Sequence, residues 1–168
     1  GAKKTNLSKS GKAMLLYDIL SKCKDNLNFL GKNAENVDII GNSITEFKKH
    51  RINIDNLKEE ANTTTDIYLK LKLNDMITMY EEFEKSIQDK FLDENDVLDI
   101  LNTQILESNQ FKDAIIYIDE FVGFTTQEYE IIAKLMQLAK EVNVTICTDN
   151  LVQQEDADKD IFYANKNT

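Results

Sequence analysis

Proline and tryptophan are absent from this 168-residue chain, and glycine occurs only five times. Without proline, helices have to stop at polar clusters and at the few glycines. There are two cysteines, Cys23 and Cys147, far apart and in unlike surroundings, and His50 is the sole histidine. Neither thiol has a partner at metal-ligand spacing, which excludes a zinc or iron–sulfur site built by this chain. Two isolated thiols suit a reducing cytoplasm. The longest apolar runs are four or five residues, too short to cross a membrane. The opening Gly1-Ala2-Lys3-Lys4-Thr5 lacks the apolar segment of a secretory signal, and Gly1-Ala2 in place of methionine reads as a cut start.

Apolar residues make up 42% and charged residues 30%, enough for a core and one domain, or one domain with an appendage. The net charge of −10 is uneven. Residues 1–72 hold 13 Lys/Arg against 9 Asp/Glu, and residues 73–168 hold 7 against 21. The acidic half repels phosphate backbones, so any contact with nucleic acid is expected from the first half. Solvated helix surface explains the same numbers without a partner.

Residues 1–12 are a basic opening segment. Gly11-Lys12 has the form of a P-loop ending, but Asn6 stands where the motif needs glycine and Ala13 where it needs Ser or Thr. A phosphate loop is therefore expected outside this chain. A first helix is expected over 12–30, since Leu16, Leu20, Cys23, Leu27 and Leu30 recur at helical spacing and Gly31 can cap its end. A second spans about 35–50 with Val37, Ile40, Ile44 and Phe47 inward, closed by Lys48, Lys49, His50 and Arg51 at the negative end of the dipole. Residues 53–60 add a short helical piece, and Asn62-Thr63-Thr64-Thr65 a connection. The third helix, about 65–89, carries the longest stripe: Leu69, Leu73, Met76, Tyr80, Phe83 and Ile87. Packing against the first helix is expected to cover it, while a three-heptad seam for a partner is the alternative. Asp93 is expected to start a helix over 94–107 with Val97, Leu98, Leu101 and Ile105 buried; the acids at 93–96 lack the glycine and closing glutamate of an EF-hand.

The stretch with most chemical content is Ile115-Ile116-Tyr117-Ile118-Asp119-Glu120. Four apolar residues, β-branched and aromatic, read as a strand over 114–119 buried on both faces, as in a parallel sheet covered by helices. Ligands of such sheets bind beyond the carboxyl ends of the strands, where Asp119 and Glu120 fall. An aspartate there can hold magnesium through water, and the neighbouring glutamate can orient or deprotonate an attacking water. Two solvated acids leaving a core strand is the plainer alternative. Thr125 and Glu128 match a capping box for a helix over 126–141 that buries Ile132, Leu135, Met136 and Ala139. Val142 to Cys147 form a second strand, parallel to the first. Asp119 and Asp149 should then stand side by side. Residues 151–168 read as an irregular tail anchored by Phe162 and Tyr163.

The fold class is thus α/β and helix-dominated, a helical subdomain at 13–110 followed by a strand–helix–strand unit at 111–150. The order of four segments resembles the AddB (RexB) family within the bacterial ATP-dependent helicase–exonuclease: 7–16 (LSKSGKAMLL), 44–48 (ITEFK), 92–98 (LDENDVL) and above all 117–129 (YIDEFVGFTTQEY). The resemblance covers nearly the whole chain, itself a small slice of an AddB polypeptide. It implies a partial P-loop helicase motor fold at 111–150, with the helices before it as the subdomain inserted in the first motor domain. Asp119 and Glu120 would take the Walker B position, with Glu120 catalytic and Asp119 on Mg2+, and Asp149, near helicase motif III, would join Asp119 in holding the nucleotide.

The resemblance also implies ATP and Mg2+ as cofactors of the whole AddB polypeptide, and an iron–sulfur cluster and nuclease centre outside this chain. The implied partners are DNA and the other polypeptide of the complex, a nuclease/helicase that carries the active motor. Its setting is cytoplasmic, in double-strand break repair and recombination, with no membrane. Where active motors continue Asp-Glu-X-Gln-Asp, Val122 and Gly123 stand here, and motif III reads Thr148-Asp149-Asn150-Leu151-Val152 without its glutamine. That implies a helicase-like polypeptide used for DNA handling. The isolated chain is expected to be inactive as an enzyme and to self-associate through its bare strands or to cover them with its own helices. The alternative function is a helical protein-interaction module that docks through the 69–87 stripe without nucleotide chemistry.

Overall fold

The computed structural model describes residues 4–33, 35–121 and 123–146. Asp149, Cys147, Phe162 and Tyr163 lie outside the described residues. The chain forms two compact units, Gly1–Val97 and Leu98–Thr168. Among the described residues it is helix-dominated, with two small parallel sheets. Among the described residues no helix is long and apolar enough to cross a membrane.

The first unit contains β1 (Thr5–Asn6), α1 (Lys9–Cys23), α2 (Asn36–Lys49), α3 (Ile54–Thr63), α4 (Ile67–Ile87), β2 (Phe91–Leu92) and the start of α5 (Glu94–Gln104). Ser8 caps α1, its hydroxyl accepting from the Gly11 amide at 3.1 Å. Asn53 and Asn56 cap α3 reciprocally. Asp66 caps α4 through the amides of Tyr68 and Leu69; Asn62 and Thr63 of the expected connection still belong to α3, which leaves Thr64 and Thr65 to join the two helices. β1 pairs in parallel with β2, Thr5 opposite Phe91 and Asn6 opposite Leu92. Two residues on each side carry no readable periodicity, so the sequence marks the opening segment only as basic.

Leu16, Ile19 and Leu20 of α1, Ile40 and Ile44 of α2, Leu57 and Ala61 of α3, and Met79, Tyr80, Phe83 and Ile87 of α4 make one core. Phe83 and Met79 are fully enclosed, and Leu73 and Met76 pack on the same cluster. The 73–87 part of the stripe is therefore occupied by α1, α2 and α3 of this chain and offers no partner face. The first residue of the stripe, Leu69, is 38% exposed, and Leu73 and Met76 are half-buried.

The first helix is shorter than its periodicity predicts. It ends at Cys23, and the chain turns through Lys24–Asn26 and Leu30–Lys32 as 3₁₀ segments. The cause lies in α4. The buried Asp75 carboxylate accepts from the amides of Asn28 (2.9 Å), Phe29 (2.7 Å) and Leu30 (3.1 Å) and from Asn28 Nδ2 (3.1 Å). Those amides cannot also serve a continuing α-helix. Gly31 is not its cap; a Cβ there would lie 2.4 Å from the Lys24 carbonyl oxygen, so only glycine allows the backbones to meet.

A second buried polar group ties the unit together. Lys12 Nζ donates to Asp93 Oδ2 at 3.1 Å and to Thr45 Oγ1 at 2.9 Å. Lys48 Nζ meets Asp96 at 2.8 Å, Glu84 at 2.8 Å and Asp93 at 3.4 Å. Both ammonium groups stand over the Phe83 ring, 5.3 and 5.8 Å from its centroid. Asp93, directly before α5 as expected, is thus also a buried counter-ion. The Asp96 carboxylate accepts from the Asp93 amide at 3.1 Å where α5 begins.

Burial opposes the charges of Lys48 and Asp93, and their partners outweigh it. Burial disfavours the Lys48 ammonium, but hydrogen bonds and charge from Asp96 and Glu84 hold it above its ordinary range. Burial likewise raises the Asp93 carboxyl, yet Lys12 and Lys48 bring it below the ordinary carboxylate range. A depressed carboxyl contributes stability above its unfolded value near about 4, lost as pH falls through the folded value. A raised lysine contributes stability below its unfolded value near about 10.4, lost as pH rises through the folded one. Tyr80, pushed up to about 12 mainly by burial, adds to the alkaline loss.

Asp93→Ala leaves two enclosed ammonium groups short of a partner, and we expect about 3–5 kcal/mol of lost stability in urea denaturation. Its loss of stability with falling pH should also become less steep below about pH 4; a loss under about 1 kcal/mol would show that the network is solvated. Asp75→Asn, which keeps the shape but not the charge, is expected to cost roughly 2 kcal/mol by the same measurement.

Candidate functional site

The second unit carries the strand–helix–strand stretch. After α5 and two 3₁₀ turns, Ile105–Glu107 and Asn109–Phe111, come β3 (Ile115–Phe121), α6 (Thr126–Leu138) and β4 (Glu141–Ile146). β3 and β4 are parallel, with Ile115 opposite Glu141, Ile116 opposite Val142, Tyr117 opposite Asn143 and Ile118 opposite Val144. The connecting helix begins as the sequence predicts. The Thr125 hydroxyl accepts from the Glu128 amide, and Glu128 Oε2 accepts from the Thr125 amide at 2.7 Å.

Register breaks at the acids. The next pair after Ile118–Val144 is Phe121–Ile146, so β3 advances three residues where β4 advances two. The extra residue falls in the Asp119–Glu120 segment, as a β-bulge does, and a bulge re-aims the side chains around it. Asp119 is exposed, and Thr145 of β4 donates its hydroxyl to Asp119 Oδ1 while lying 3.5 Å from the Ile118 carbonyl. Glu120 follows in the strand backbone. Sequence reading places Thr145 in a strand but assigns it nothing, because its relation to Asp119 exists only across the pair.

The expectation of a strand buried on both faces is not met. Ile115 and Tyr117 are 49% and 75% exposed, on the same alternate positions as Asp119, whereas Ile116 and Ile118 are half-buried. With only β4 beside it among the described residues, β3 is covered on one face.

The inward face of α6 is also rotated from expectation. Met136 is 65% exposed, while Gln127 and Ile131 are buried. Gln127 Nε2 donates to Asp99 at 2.9 Å, Asn102 Nδ2 to Glu130 at 2.6 Å, and Lys134 to the Asn102 carbonyl. These polar ties aim α6 at α5 and at buried Ile105. Val97 and Leu101 of α5, expected inside, are 46% and 37% exposed. A groove of about 430 Å3 lies between Tyr117, Asp119, Phe124, Ile132 and Leu135.

Chemically, the described site offers one hard-oxygen ligand, Asp119, steadied by a hydroxyl. No group of three metal-ligating side chains gathers among the described residues. That donor set fits a cation held mainly by water and phosphate oxygens, as magnesium is, and does not fit a cation caged by protein. Asp149 lies outside the described residues, so its relation to Asp119 is not part of this geometry.

The family model described as "ADDB, N-terminal" matches residues 1–168. Among curated proteins, the chain is 38% identical to the B-type subunit of the ATP-dependent helicase/deoxyribonuclease of Clostridium tetani (strain Massachusetts / E88), over 96% of this chain and 15% of that protein. Proteins of the same name from Clostridium botulinum (strain Loch Maree / Type A3) and Clostridium perfringens (strain SM101 / Type A) are each 35% identical, over 97% and 100% of this chain and 15% of theirs. The chain spans about 15% of the length of the curated relatives it matches.

Thr125→Ala removes the cap that starts α6 beside the bulge. We expect about 1 kcal/mol of lost stability and faster amide exchange in the first turn of α6, read by hydrogen-exchange NMR; unchanged protection at Glu128 would show that the cap does not fix the helix start.

Proposed function

The chain belongs to the family of AddB N-terminal regions, and we propose that it is a segment of the helicase-like part of an AddB-type polypeptide of an ATP-dependent helicase–deoxyribonuclease. In this reading residues 13–110 are the helical subdomain inserted into the first motor domain, and 111–150 are a slice of that P-loop motor domain. Asp119 and Glu120 occupy the Walker B position. The observation that carries the reading is the parallel β3–α6–β4 unit with Asp119-Glu120 at the carboxyl end of β3, where nucleotides bind in open α/β sheets.

Asp119 would hold the hydrated Mg2+ that accompanies ATP, and Glu120 would orient the attacking water. When bound, the cation neutralises charge on the nucleotide phosphates. The phosphate loop, the nuclease centre and the iron–sulfur cysteines belong to other parts of the full-length protein. That protein works in the cytoplasm with a second, nuclease/helicase polypeptide on broken DNA ends, in double-strand break repair and recombination. This chain alone is catalytically silent.

The isolated chain is expected to show no Mg2+-dependent ATP turnover, measured as phosphate release; turnover abolished by Glu120→Gln would refute the incomplete site. In the full-length protein, Asp119→Asn is expected to weaken Mg2+–ATP binding by on the order of tenfold, read with a fluorescent ATP analogue. An unchanged affinity would remove Asp119 from the site.

A further inference from the structure

We propose that Thr145 is a positioning residue for Asp119, setting its carboxylate for a hydrated divalent cation bound to nucleotide phosphates. This rests on the reading of Asp119 as the cation-holding acid. Three features of the second unit carry it. The bulge between Ile118 and Phe121 interrupts the ladder at the segment that bears the acids. The register brings Thr145, which follows Val144, alongside Asp119, which follows Ile118. The Thr145 hydroxyl then donates to Asp119 Oδ1, with the Ile118 carbonyl 3.5 Å away as its second neighbour.

An exposed aspartate ordinarily samples several rotamers. A cation held mainly by water and phosphate needs the carboxylate in one place, because water-bridged contacts have narrow geometry. A hydroxyl is suited to this task. It occupies one carboxylate oxygen without adding charge, so it orients the ligand and leaves its attraction for a cation intact. A lysine at 145 would orient it too, but would compete with the cation. The bulge follows at once, the next ladder pair being Phe121–Ile146, so Asp119 and Thr145 stand where the ladder opens at the end of the regular register.

The test separates orientation from strand stability. Thr145→Val keeps the β-branched shape and loses the hydroxyl, whereas Thr145→Ser keeps the hydroxyl and loses the branch. In the full-length protein, the Mg2+ concentration that supports half-maximal binding of a fluorescent ATP analogue should rise on the order of tenfold in Thr145→Val, and stay within about twofold of the parent in Thr145→Ser. Thermal stability should follow the opposite order, with serine the less stable. Mg2+ dependence that follows stability, with valine like threonine and serine worse, would overturn the proposal and leave Thr145 a strand residue. Asp119→Asn in the same titration is the control. If it loses Mg2+ dependence while Thr145→Val does not, only the role of Thr145 fails. If Asp119→Asn matches the parent, the cation reading itself fails, and with it the purpose assigned to Thr145.

Discussion

Five ionised side chains gathered beside one phenyl ring hold the first unit in register. Lys12 comes from α1, Lys48 from α2, Glu84 from α4, Asp93 from the link after β2, and Asp96 from the first turn of α5. The network therefore joins elements that are far apart in sequence and share no hydrogen-bonded ladder. Burying an ion is costly, and a well-made pair returns roughly what it costs. The bulk of the stabilisation comes from the apolar core, at about 1.5–3 kcal/mol for each large side chain enclosed. What the network adds is selection. A helix slipped by one turn would leave an ammonium or a carboxylate enclosed without its partner, at a penalty of about 3–5 kcal/mol.

Asp75 acts in the same way on a smaller scale. Its carboxylate gathers three successive amides, fixing where α1 stops and how the chain returns toward α2. Gly31 permits the close backbone approach that this turn requires. Together the two buried acid clusters and the Phe83-centred core account for the unit without any appeal to a partner. The long α4 stripe, a candidate docking face in sequence, is spent on that core.

The second unit has a different balance. Among the described residues its sheet is two strands, α6 is aimed by Gln127, Asn102 and Lys134, and Ile115 and Tyr117 are open on one face. A sheet of this size needs a third strand or more helix cover to be independently stable. That suits a chain matching about 15% of the length of its relatives. The acids sit where the sheet's carboxyl edge, the bulge and Thr145 meet, so the chemistry proposed for this region depends on backbone geometry at least as much as on residue identity.

The sequence by itself determined the elements whose signals are local. The α2 and α4 stripes, the Thr125–Glu128 capping box, the β3 run and its parallel return through α6 were all legible, because hydrophobic period and caps act within a few residues. So was the family, through the 117–129 segment. Tertiary structure alone decided the rest. The end of α1 was set by the Asp75 carboxylate, 45–47 residues from the amides it gathers just after that helix. The burial of Lys48, legible only as a charge for the helix dipole, was set by acids on three other segments, as was the counter-ion role of Asp93 by lysines on two. The facing of α6 was set by polar ties to α5, and the meeting of Thr145 with Asp119 by the parallel register of β3 and β4. Each of these depends on which distant group a polar atom finds once the chain is closed, and periodicity carries no record of that pairing.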